Sequence, residues 1–360
     1  MEQFHCRTKI FAGAGAIGHL AEYGPEKVFL VTDPYFQKNG TAKQVAVASG
    51  ARQLEFFADV KPDPTVELAA TGTARLKAFG PDLVVALGGG SAMDCAKAMV
   101  YFSGTEAPLV AIPTTSGSGS EVTDFAILTH DRVKHPLVDP KLRPHAAILD
   151  SDLLRELPPA LVADAGYDVI AHALESDVAT GAGAITDSLA RDAFRVVFEH
   201  LPASFAGRQE VRLKIHLAAT MAGMAFSQAG LGLCHAMAHS LGGMFHIPHG
   251  RLNAILLPSV VAWNAQGAGQ KYAELARFAG IGASSDTLAV RNLRNGLIRL
   301  RRELNLPETL AQAGVSPLEV RKAAAEITAA TLSDPCCKTN PVVPDEGAVR
   351  QILEEVTGRV

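Results

Sequence analysis

The order of hydrophobic patterns along this 360-residue chain constrains its fold more than any other feature. Short aliphatic runs alternate with helical stretches in the first part of the chain, whereas helical periodicity alone continues from Pro158 onward. Strands that alternate with helices predict parallel βαβ units in a doubly wound sheet. The predicted strands are residues 27–32, 53–57, 82–87 and 108–112, with strand-like pieces at 125–128, 134–138 and 146–149 near the end of the sheet, and the helices between them are 41–49, 65–78 and 92–102.

The second part of the chain is predicted to be helical throughout. A chain of this length exceeds the usual size of one domain, and the sequence LPP marks a break within residues 151–159. We therefore predict an α/β domain over residues 1–155 and an all-α domain over residues 156–360. The expected helices of the all-α domain are 160–179, 185–200, 211–228, 234–245, 252–264, 270–278, 286–304, 317–330 and 346–357.

Composition argues against several classes of protein. The net charge is −4 and no block of like charge occurs, which argues against nucleic acid and membrane partners. The first residues lack the basic and apolar segments of a secretory signal. The apolar stretch 217–233 contains Gln228 and fits a buried helix better than a membrane span. Scattered cysteines predict free thiols in a reducing, cytoplasmic environment: Cys6, Cys95, Cys234, Cys336 and Cys337.

A glycine-rich turn follows the predicted strand at 82–87. Gly88, Gly89 and Gly90 allow the backbone to approach a ligand closely. Ser91 is expected to cap the following helix, whose free N–H groups suit a pyrophosphate. A bare glycine run is a weak signal, because any tight βα turn resembles it and neither GxGxxG nor the P-loop pattern is present.

Two further features favour a dinucleotide. The loop at 112–123, IPTTSGSGSEVT, places hydroxyl groups and glycines directly after a strand, where they can surround phosphate or ribose oxygens. Asp33 follows the strand at 27–32, where a carboxylate would accept hydrogen bonds from the adenosine ribose and repel a 2′-phosphate, which favours NAD over NADP. Asp33 and Pro34 could also simply open a turn.

The segment 227–250 is unusually rich in histidine: His235, His239, His246 and His249. The first two are four residues apart, so they share one face of a helix. Gly242 and Gly243 are expected to interrupt the periodicity, and Pro248 prevents the helix from continuing. The chain can therefore turn back and bring His249 toward the first pair.

Asp168 and His172 form a second pair that is four residues apart. Taken alone, a histidine on an apolar helix is usually a hydrogen-bonded core residue. Burying several imidazoles and a carboxylate among Ala, Gly and Leu is costly without a partner, and a divalent metal is the simplest one. Such ligands suit both Zn²⁺ and Fe²⁺.

These motifs resemble those of the iron-containing (group III) alcohol dehydrogenase family. GGGSAMDCAK is similar to its GGGSxxDxAK motif, and IPTTSGSGSE to IPTTxGTGSE with Ser118 in place of the usual threonine. GYDVIAHALES and CHAMAHSLGGMFHIPHG are similar to its two metal motifs. The resemblance covers essentially the whole chain. It implies a Rossmann-like domain followed by a helical domain, an active site in the cleft between them, and a homodimer or larger assembly.

The resemblance also implies roles for individual residues. Position by position, the Fe²⁺ ligands would be Asp168, His172, His235 and His249. His239 would be the additional active-site histidine, while His246 has no ligand role in the family pattern and is expected to be structural or to line the pocket. The predicted cofactor-binding residues are Asp33, Gly88, Gly89, Gly90, Ser91, Asp94, Thr114, Thr115, Ser118 and Lys134.

The implied activity is NAD(H)-dependent interconversion of short-chain aliphatic aldehydes and primary alcohols, for example propionaldehyde and 1-propanol. The segments PDPT, TMAGMAFSQAGLGL and KTNP are most similar to the branch of the family that serves propanediol utilisation. That branch implies a bacterial microcompartment as the setting, with shell or enzyme partners.

Several alternatives stay open at this point. A zinc polyol or glycerol dehydrogenase, or a maleylacetate reductase-like enzyme, would share the cofactor, but a polyol needs polar pocket residues and the stretch 221–226 is apolar. A metal-dependent cyclase of the dehydroquinate synthase type would need basic residues for a phosphorylated substrate, and few lie near the histidines. A non-catalytic nucleotide-binding subunit would have no need of buried metal ligands.

Overall fold

The computed structural model describes residues 4–131 and 133–358, which form two compact units. One unit comprises His5–Leu157, and the other contains Phe4 and the residues from Pro158 onward. The strands of the first unit are β1 (Lys9–Gly13), β2 (Lys27–Val31), β3 (Gln53–Phe57), β4 (Leu83–Gly88), β5 (Leu109–Pro113), β6 (Phe125–His130), β7 (Val133–Val138) and β8 (Ala146–Asp150). Its helices are α1 (Pro34–Lys38), α2 (Thr41–Ala48), α3 (Val66–Phe79) and α4 (Gly90–Ser103).

A six-stranded parallel sheet forms the centre of the first unit, with the order β1-β8-β5-β4-β2-β3. The predicted α/β class is confirmed. From β2 the chain proceeds to β3, which pairs with one edge of β2, and then to β4, which pairs with the opposite edge of β2. Open α/β sheets bind ligands at the carboxyl ends of strands where the strand order reverses in this way. The ends of β2 and β4 are therefore the place to look for a cofactor site.

The central strands are buried on both faces, as is usual for a parallel sheet covered by helices. Every residue of β4 is buried, and successive side chains alternate between two hydrophobic clusters. Val85 belongs to the cluster that contains Leu30, whereas Val84 belongs to the cluster that contains Phe29. This two-sided burial explains why the strand is a continuous aliphatic run.

Three features of the first unit differ from the prediction. Strand β1 and helix α1 were not predicted, because both are short and neither contains a long buried run. Strands β6 and β7 pair with each other as a separate antiparallel sheet and do not extend the main sheet. Of the three late strand-like pieces, β8 joins the main sheet, between β1 and β5.

The second unit is helical, which confirms the predicted all-α class. Its helices are α5 (Pro159–Val178), α6 (Ala184–Phe205), α7 (Arg212–Ala229), α8 (Leu233–Phe245), α9 (His249–Phe278), α10 (Asp286–Glu303), α11 (Pro317–Ser333) and α12 (Glu346–Thr357), with a 3-10 helix at Pro335–Thr339. Helix α9 was expected as two helices, 252–264 and 270–278. Ala268, in the predicted gap, and Tyr272, just after it, are buried, so the whole stretch packs as one helix.

Helix α5 is the central helix of the second unit. Most of its residues are buried, and it packs against α6, α7 and α9. A helix that is buried on all sides is typical of the core of a bundle. Within the described residues, no single helix is long and apolar enough to cross a membrane. Only taken together do α7, with its preceding turn, and α8 have sufficient length and apolar composition, and these two segments are bent by 102° relative to each other.

Candidate metal and cofactor sites

The four predicted metal ligands lie together in the second unit. Asp168 and His172 are one turn apart on α5, His235 lies in the first turn of α8, and His249 is the first residue of α9. Three helices therefore supply the donor atoms. All of the predicted ligands are brought to one place.

The return of the chain toward His235 depends on His246. Helix α8 continues through Gly242 and Gly243, so the expected interruption at these glycines was wrong. The helix ends at His246, which adopts a left-handed conformation with φ 55° and donates its backbone N–H to the carbonyl of Gly242 at 3.0 Å. Pro248 then precedes α9. Histidine tolerates this conformation better than bulky or β-branched residues do.

The three histidines surround one carboxylate oxygen of Asp168. The Nε2 atoms of His249, His235 and His172 lie 3.5, 3.8 and 4.0 Å from Oδ1 of Asp168. A tetrahedral ion with bonds of about 2.1 Å separates its ligand atoms by about 3.4 Å. The ligand atoms of Asp168, His172 and His235 all lie within 4.8 Å of one another and suit one divalent cation. His249 would complete the set once its side chain moves closer to the other two histidines.

Burial and charge hold two of the ligands, His172 and Asp168, in metal-binding forms. Burial lowers the pKa of His172 to about 4, so its imidazole is neutral and has a free lone pair at pH 7. Burial would by itself raise the pKa of Asp168, but the neighbouring His172 and His249 outweigh burial and the pKa lies well below its usual range. A neutral imidazole and an ionised carboxylate are the forms that bind metals.

Glu175 supports His235 and was not singled out from the sequence. Its Oε2 lies 2.6 Å from Nδ1 of His235, and its carboxylate accepts backbone N–H groups of Gly232 and Cys234 at 3.0 and 2.6 Å. Burial lowers the pKa of His235, but hydrogen bonds with Asp168 and Glu175 raise it to about 9. A metal that binds Nε2 of His235 at pH 7 must therefore displace a proton, while Glu175 keeps Nδ1–H and orients the ring. Glu175 could have been found, because it lies seven residues after Asp168 on the same helical face.

Asn253 is a second supporting residue that the sequence analysis missed. Its Nδ2 donates to Oδ1 of Asp168 at 2.7 Å and lies 3.3 Å from Nε2 of His249. The side chain is fully buried on α9, one turn after His249. The amide orients the carboxylate toward the imidazoles.

His239 lies beside the four ligands. Its ring stacks on that of His249 with a centroid distance of 5.2 Å and an interplanar angle of 15°, and it lies 6.2 Å from the ring of His235. Its Nδ1 is 2.8 Å from Oδ2 of Asp334, and about 30% of its side chain is exposed. His239 therefore adjoins the ligand cluster and also reaches solvent.

Asp33 and Gly88 lie at the point where the strand order of the sheet reverses. Gly88 has φ 148°, and a Cβ at this position would lie 2.7 Å from Cβ of Ala92, so the turn requires glycine. Oδ1 of Asp33 accepts the N–H groups of Tyr35 and Phe36 and caps α1, which is the turn-opening role considered above. Oδ2 of Asp33 would lie 3.8 Å from a Cβ placed on Gly88.

The expected cap of α4 by Ser91 was wrong. The helix begins at Gly90, its N-cap residue is Gly89, and no side chain caps it, so Ser91 lies within the first turn. A helix end without a side-chain cap leaves backbone N–H groups available to an anion. This arrangement suits the predicted pyrophosphate more directly than a capped end would.

The hydroxyl-rich loop packs against the glycine turn. The N–H of Thr114 donates to the carbonyl of Gly88 at 3.0 Å. A Cβ added to Gly89 would lie 3.4 Å from the hydroxyl oxygen of Thr115, and one added to Gly90 would lie 3.3 Å from that of Ser118. The two loops predicted to bind the cofactor therefore come together in the first unit.

Asp94 and Lys134, also predicted to bind the cofactor, form internal contacts. Asp94 accepts the hydroxyl of Ser120 at 2.8 Å and the N–H of Ile127 at 3.1 Å. Lys134 lies on β7 with its Nζ 2.7 Å from Asp63. Through Ser120, Asp94 anchors the end of the hydroxyl-rich loop.

Lys97 is a further anchor of this loop that the sequence analysis missed. Its fully buried Nζ lies 2.9 Å from the hydroxyl oxygens of Ser120 and Thr123 and from the carbonyl of Phe125. Burial lowers the pKa of Lys97 to about 8. A charged lysine is tolerated in this interior because its N–H groups are satisfied.

A parallel α/β sheet whose strand order reverses at a glycine turn and a helical unit with a histidine–carboxylate cluster fit the class of metal-dependent dehydrogenases. Residues 7–151 match the sequence model described as "Iron-containing alcohol dehydrogenase", and residues 162–357 match that described as "Fe-containing alcohol dehydrogenase family, C-terminal". The chain belongs to the iron-containing alcohol dehydrogenase family and is an oxidoreductase.

Individual relatives resemble the chain over its full length. The 1-propanol dehydrogenases PduQ of Citrobacter freundii and Salmonella typhimurium are 38% and 39% identical to it, and each alignment covers 99% of this chain and 100% of the relative. Among solved structures, sulfoacetaldehyde reductase from Bifidobacterium kashiwanohense in complex with NAD+ superimposes with a TM-score of 0.90 at 26% identity, covering 99% of this chain and 98% of that one.

Proposed function

We propose that the protein reduces short-chain aliphatic aldehydes to primary alcohols with NADH, and catalyses the reverse reaction with NAD+. The observation that supports this proposal most directly is the convergence of Asp168, His172, His235 and His249, which fits one divalent ion. We propose that this ion is Fe²⁺, in agreement with the family to which the chain belongs. Zn²⁺ suits the same donor set and is the alternative.

The residues around the ion have distinct proposed roles. A divalent metal held by Asp168, His172, His235 and His249 would lower the pKa of a substrate alcohol and polarise an aldehyde carbonyl. Glu175 and Asn253 orient the ligands His235 and Asp168. His239, which adjoins the ligands and reaches solvent, accepts the proton of the alcohol during oxidation and returns it during aldehyde reduction.

Apolar side chains favour a short aliphatic substrate. The ring of Phe226 stacks on that of His172 with a centroid distance of 4.3 Å, so an apolar surface adjoins the proposed metal site. Met221 and Met224 lie on the same helix and are half-buried. A polyol needs hydrogen-bonding groups in its pocket, which an apolar wall does not supply. The names of the two curated relatives point to 1-propanol and propionaldehyde as the substrate pair.

The proposed cofactor is NAD(H). The glycine turn, the uncapped start of α4 and Asp33 lie where the sheet order reverses, and the solved relative described above binds NAD+. A carboxylate at Asp33 disfavours the 2′-phosphate of NADP. We further propose that the enzyme is a cytoplasmic homodimer that acts in propanediol utilisation, within a bacterial microcompartment and beside its shell or enzyme partners.

The decisive test is oxidation of NADH with propionaldehyde under anaerobic conditions. The protein is assayed as purified, after chelation, and after chelation followed by Fe²⁺ or Zn²⁺. We expect activity to disappear on chelation and to return with Fe²⁺, with much weaker activity toward glycerol in the reverse direction. Unchanged activity after verified metal removal would instead indicate a metal-independent reductase of the maleylacetate type.

A variant separates the metal site from the cofactor site. Asp168→Ala should lose both metal and activity, while NADH binding, followed by fluorescence, is retained. Full activity in this variant would contradict the assignment of the site. Absence of activity in the unaltered, metal-loaded protein that still binds NADH would favour a cyclase or a non-catalytic subunit.

A further inference from the structure

Asp334 forms a second carboxylate–histidine pair beside the ligand cluster. It lies between α11 and the 3-10 helix Pro335–Thr339, far in sequence from His239. Its two carboxylate oxygens have separate partners: Oδ1 accepts the backbone N–H of Cys336 at 2.8 Å, and Oδ2 lies 2.8 Å from Nδ1 of His239. One oxygen therefore caps the 3-10 helix while the other contacts the imidazole.

The charge of Asp334 determines which ring nitrogen of His239 carries hydrogen. Burial would raise the pKa of Asp334, but the hydrogen bonds with His239 and Cys336 outweigh burial and lower it to about 2. An ionised carboxylate can only accept hydrogen bonds. Nδ1 of His239 must therefore be the donor, and in the neutral ring Nε2 carries the free lone pair.

Other contacts also join the segment of Asp334 to α8. The hydroxyl of Thr331 on α11 donates to the hydroxyl oxygen of Ser240 at 3.2 Å. Ser240 follows His239 directly on α8. The thiol of Cys337 lies 3.1 Å from the carbonyl of Thr331. The segment that carries Asp334 is thus attached to α8 independently of the contact between Asp334 and His239.

We propose that Asp334 is a positioning residue that holds His239 in the Nδ1–H tautomer, so that Nε2 is ready to accept a proton. This inference rests on the proposed function, because a proton acceptor is needed when an alcohol is oxidised. When the alcohol is oxidised, the proton of the substrate hydroxyl group is transferred to Nε2 of His239. The hydride is transferred to NAD+ from the carbon that bears this hydroxyl group. Asp334 remains ionised throughout and stabilises the imidazolium that forms.

The substitution Asp334→Asn tests this role with little structural change. Asparagine retains the volume and an oxygen that can cap the 3-10 helix. With that oxygen on the N–H of Cys336, the side chain presents its NH₂ group to Nδ1 of His239. A donor at this position favours the Nε2–H tautomer, which cannot accept a proton at Nε2.

We expect kcat for 1-propanol oxidation to fall about 100-fold or more in Asp334→Asn, with KM for the alcohol changed less than about threefold. In the background of His239→Ala the same substitution should have almost no further effect on kcat, because Asp334 acts through His239. An equal fall in kcat in both backgrounds would overturn the proposal and leave the dehydrogenase assignment intact.

A second measurement reads the tautomer without relying on activity. The Zn²⁺-loaded protein with ¹⁵N-labelled histidine is compared by NMR with His239→Ala, which identifies the signals of His239. We expect the proton on Nδ1 in the unaltered protein and on Nε2 in Asp334→Asn. A proton on Nε2 in the unaltered protein would overturn the proposal whatever the kinetics show.

Ser240→Ala serves as the matched control. It removes the hydroxyl contact with Thr331 between the same two segments but leaves Asp334 and His239 in place. We expect kcat and the tautomer of His239 to be unchanged in this variant. A comparable fall in kcat would show that general packing of α8 against α11, and not the carboxylate, is responsible, which would overturn the proposal. If the unaltered protein has no alcohol dehydrogenase activity, the proposed function fails first and the catalytic part of this inference falls with it.

Discussion

At the scale of single residues, two histidines of the candidate metal site each have a carboxylate at Nδ1. Glu175 contacts His235 and Asp334 contacts His239, at 2.6 and 2.8 Å. Their surroundings differ: the side chains of Glu175 and His235 are 1% exposed, whereas about 30% of the side chain of His239 is exposed. A buried pair of this kind suits a metal ligand, and a partly exposed pair suits exchange of protons with solvent.

Glu175→Gln should weaken metal binding without removing a ligand. Glutamine loses the charge that stabilises the Nδ1–H of His235 and can turn its NH₂ group toward that nitrogen. We expect metal affinity to fall about 10- to 100-fold, as is typical when such a supporting partner is altered. Competition with a chelator measures the affinity, and Glu319→Gln, at an exposed glutamate of α11, is the control. Unchanged affinity in Glu175→Gln would contradict this role.

Asp33→Ser should change cofactor preference while the cap of α1 is retained. Serine is a good N-cap residue, so the hydrogen bonds to the start of α1 can be kept while the negative charge is removed. We expect the ratio of kcat/KM for NADP to that for NAD to rise about tenfold, because the substitution removes the repulsion between Asp33 and the 2′-phosphate. A tenfold change corresponds to about 1.4 kcal/mol. Steady-state kinetics with both cofactors measure the ratio. Asp345→Ser, at the cap of α12, is the control, and an equal ratio in all three proteins would argue against a role of Asp33 in ribose recognition.

At the scale of helices, the metal site depends on how closely α9 approaches α5. A Cβ at Gly250, directly after His249, would collide with the backbone carbonyl oxygen of Asp164 and lie 3.2 Å from Cβ of Asp168. The small residue lets the first turn of α9 lie against α5. His249 and Asp168 come within reach of one ion for this reason.

Gly250→Ala should therefore disturb both stability and metal binding. The added methyl group must push α9 away from α5, and we expect a loss of about 2 kcal/mol or more in the free energy of unfolding together with weaker metal binding. Denaturant unfolding and chelator competition measure the two effects. Gly243→Ala on α8 is a matched control, because a Cβ there meets nothing within 4 Å, and it should leave both quantities unchanged or raise stability slightly. If both variants behave alike, the close approach of α9 to α5 is not what limits the site.

At the scale of the whole molecule, the metal ligands connect three helices of the second unit, whereas the glycine turn and the hydroxyl-rich loop belong to the first. A metal that binds the folded state alone stabilises it by mass action, by about 2.7 kcal/mol at a concentration 100 times Kd. The metal should therefore act on the thermal stability of the helical unit directly.

Removal of the metal should lower the melting temperature by about 5–10 °C, given about 2.7 kcal/mol and the entropy of unfolding of a unit of roughly 200 residues. Differential scanning calorimetry of the protein before and after chelation measures the shift. Asp168→Ala is the control, and its melting temperature should not respond to added metal. An identical melting temperature of the unaltered protein with and without metal would contradict a site built from three helices.

Local sequence patterns were sufficient to predict the fold class and most of the elements. Hydrophobic periodicity is a local property, so the alternating strands and helices and the later helices could be predicted, as could the spacing of Asp168 with His172 and of His235 with His239. Elements with a weak local pattern, such as β1, were missed. The division of one long helix into two at residues 264–270 was wrong because packing of Ala268 and Tyr272 prevails over the local breaking tendency of glycine.

The partner of His239 and the contact between the two cofactor loops depend on tertiary packing. Glu175 and Asn253 repeat the spacing of the ligands, so a closer reading of the helical faces could have found them. Asp334 could not have been found in this way, because it lies 95 residues from His239 and no local pattern links the two. Periodicity determines which face of a helix a residue occupies, whereas the identity of the residue opposite depends on the packing of separate segments, which is a property of the folded chain.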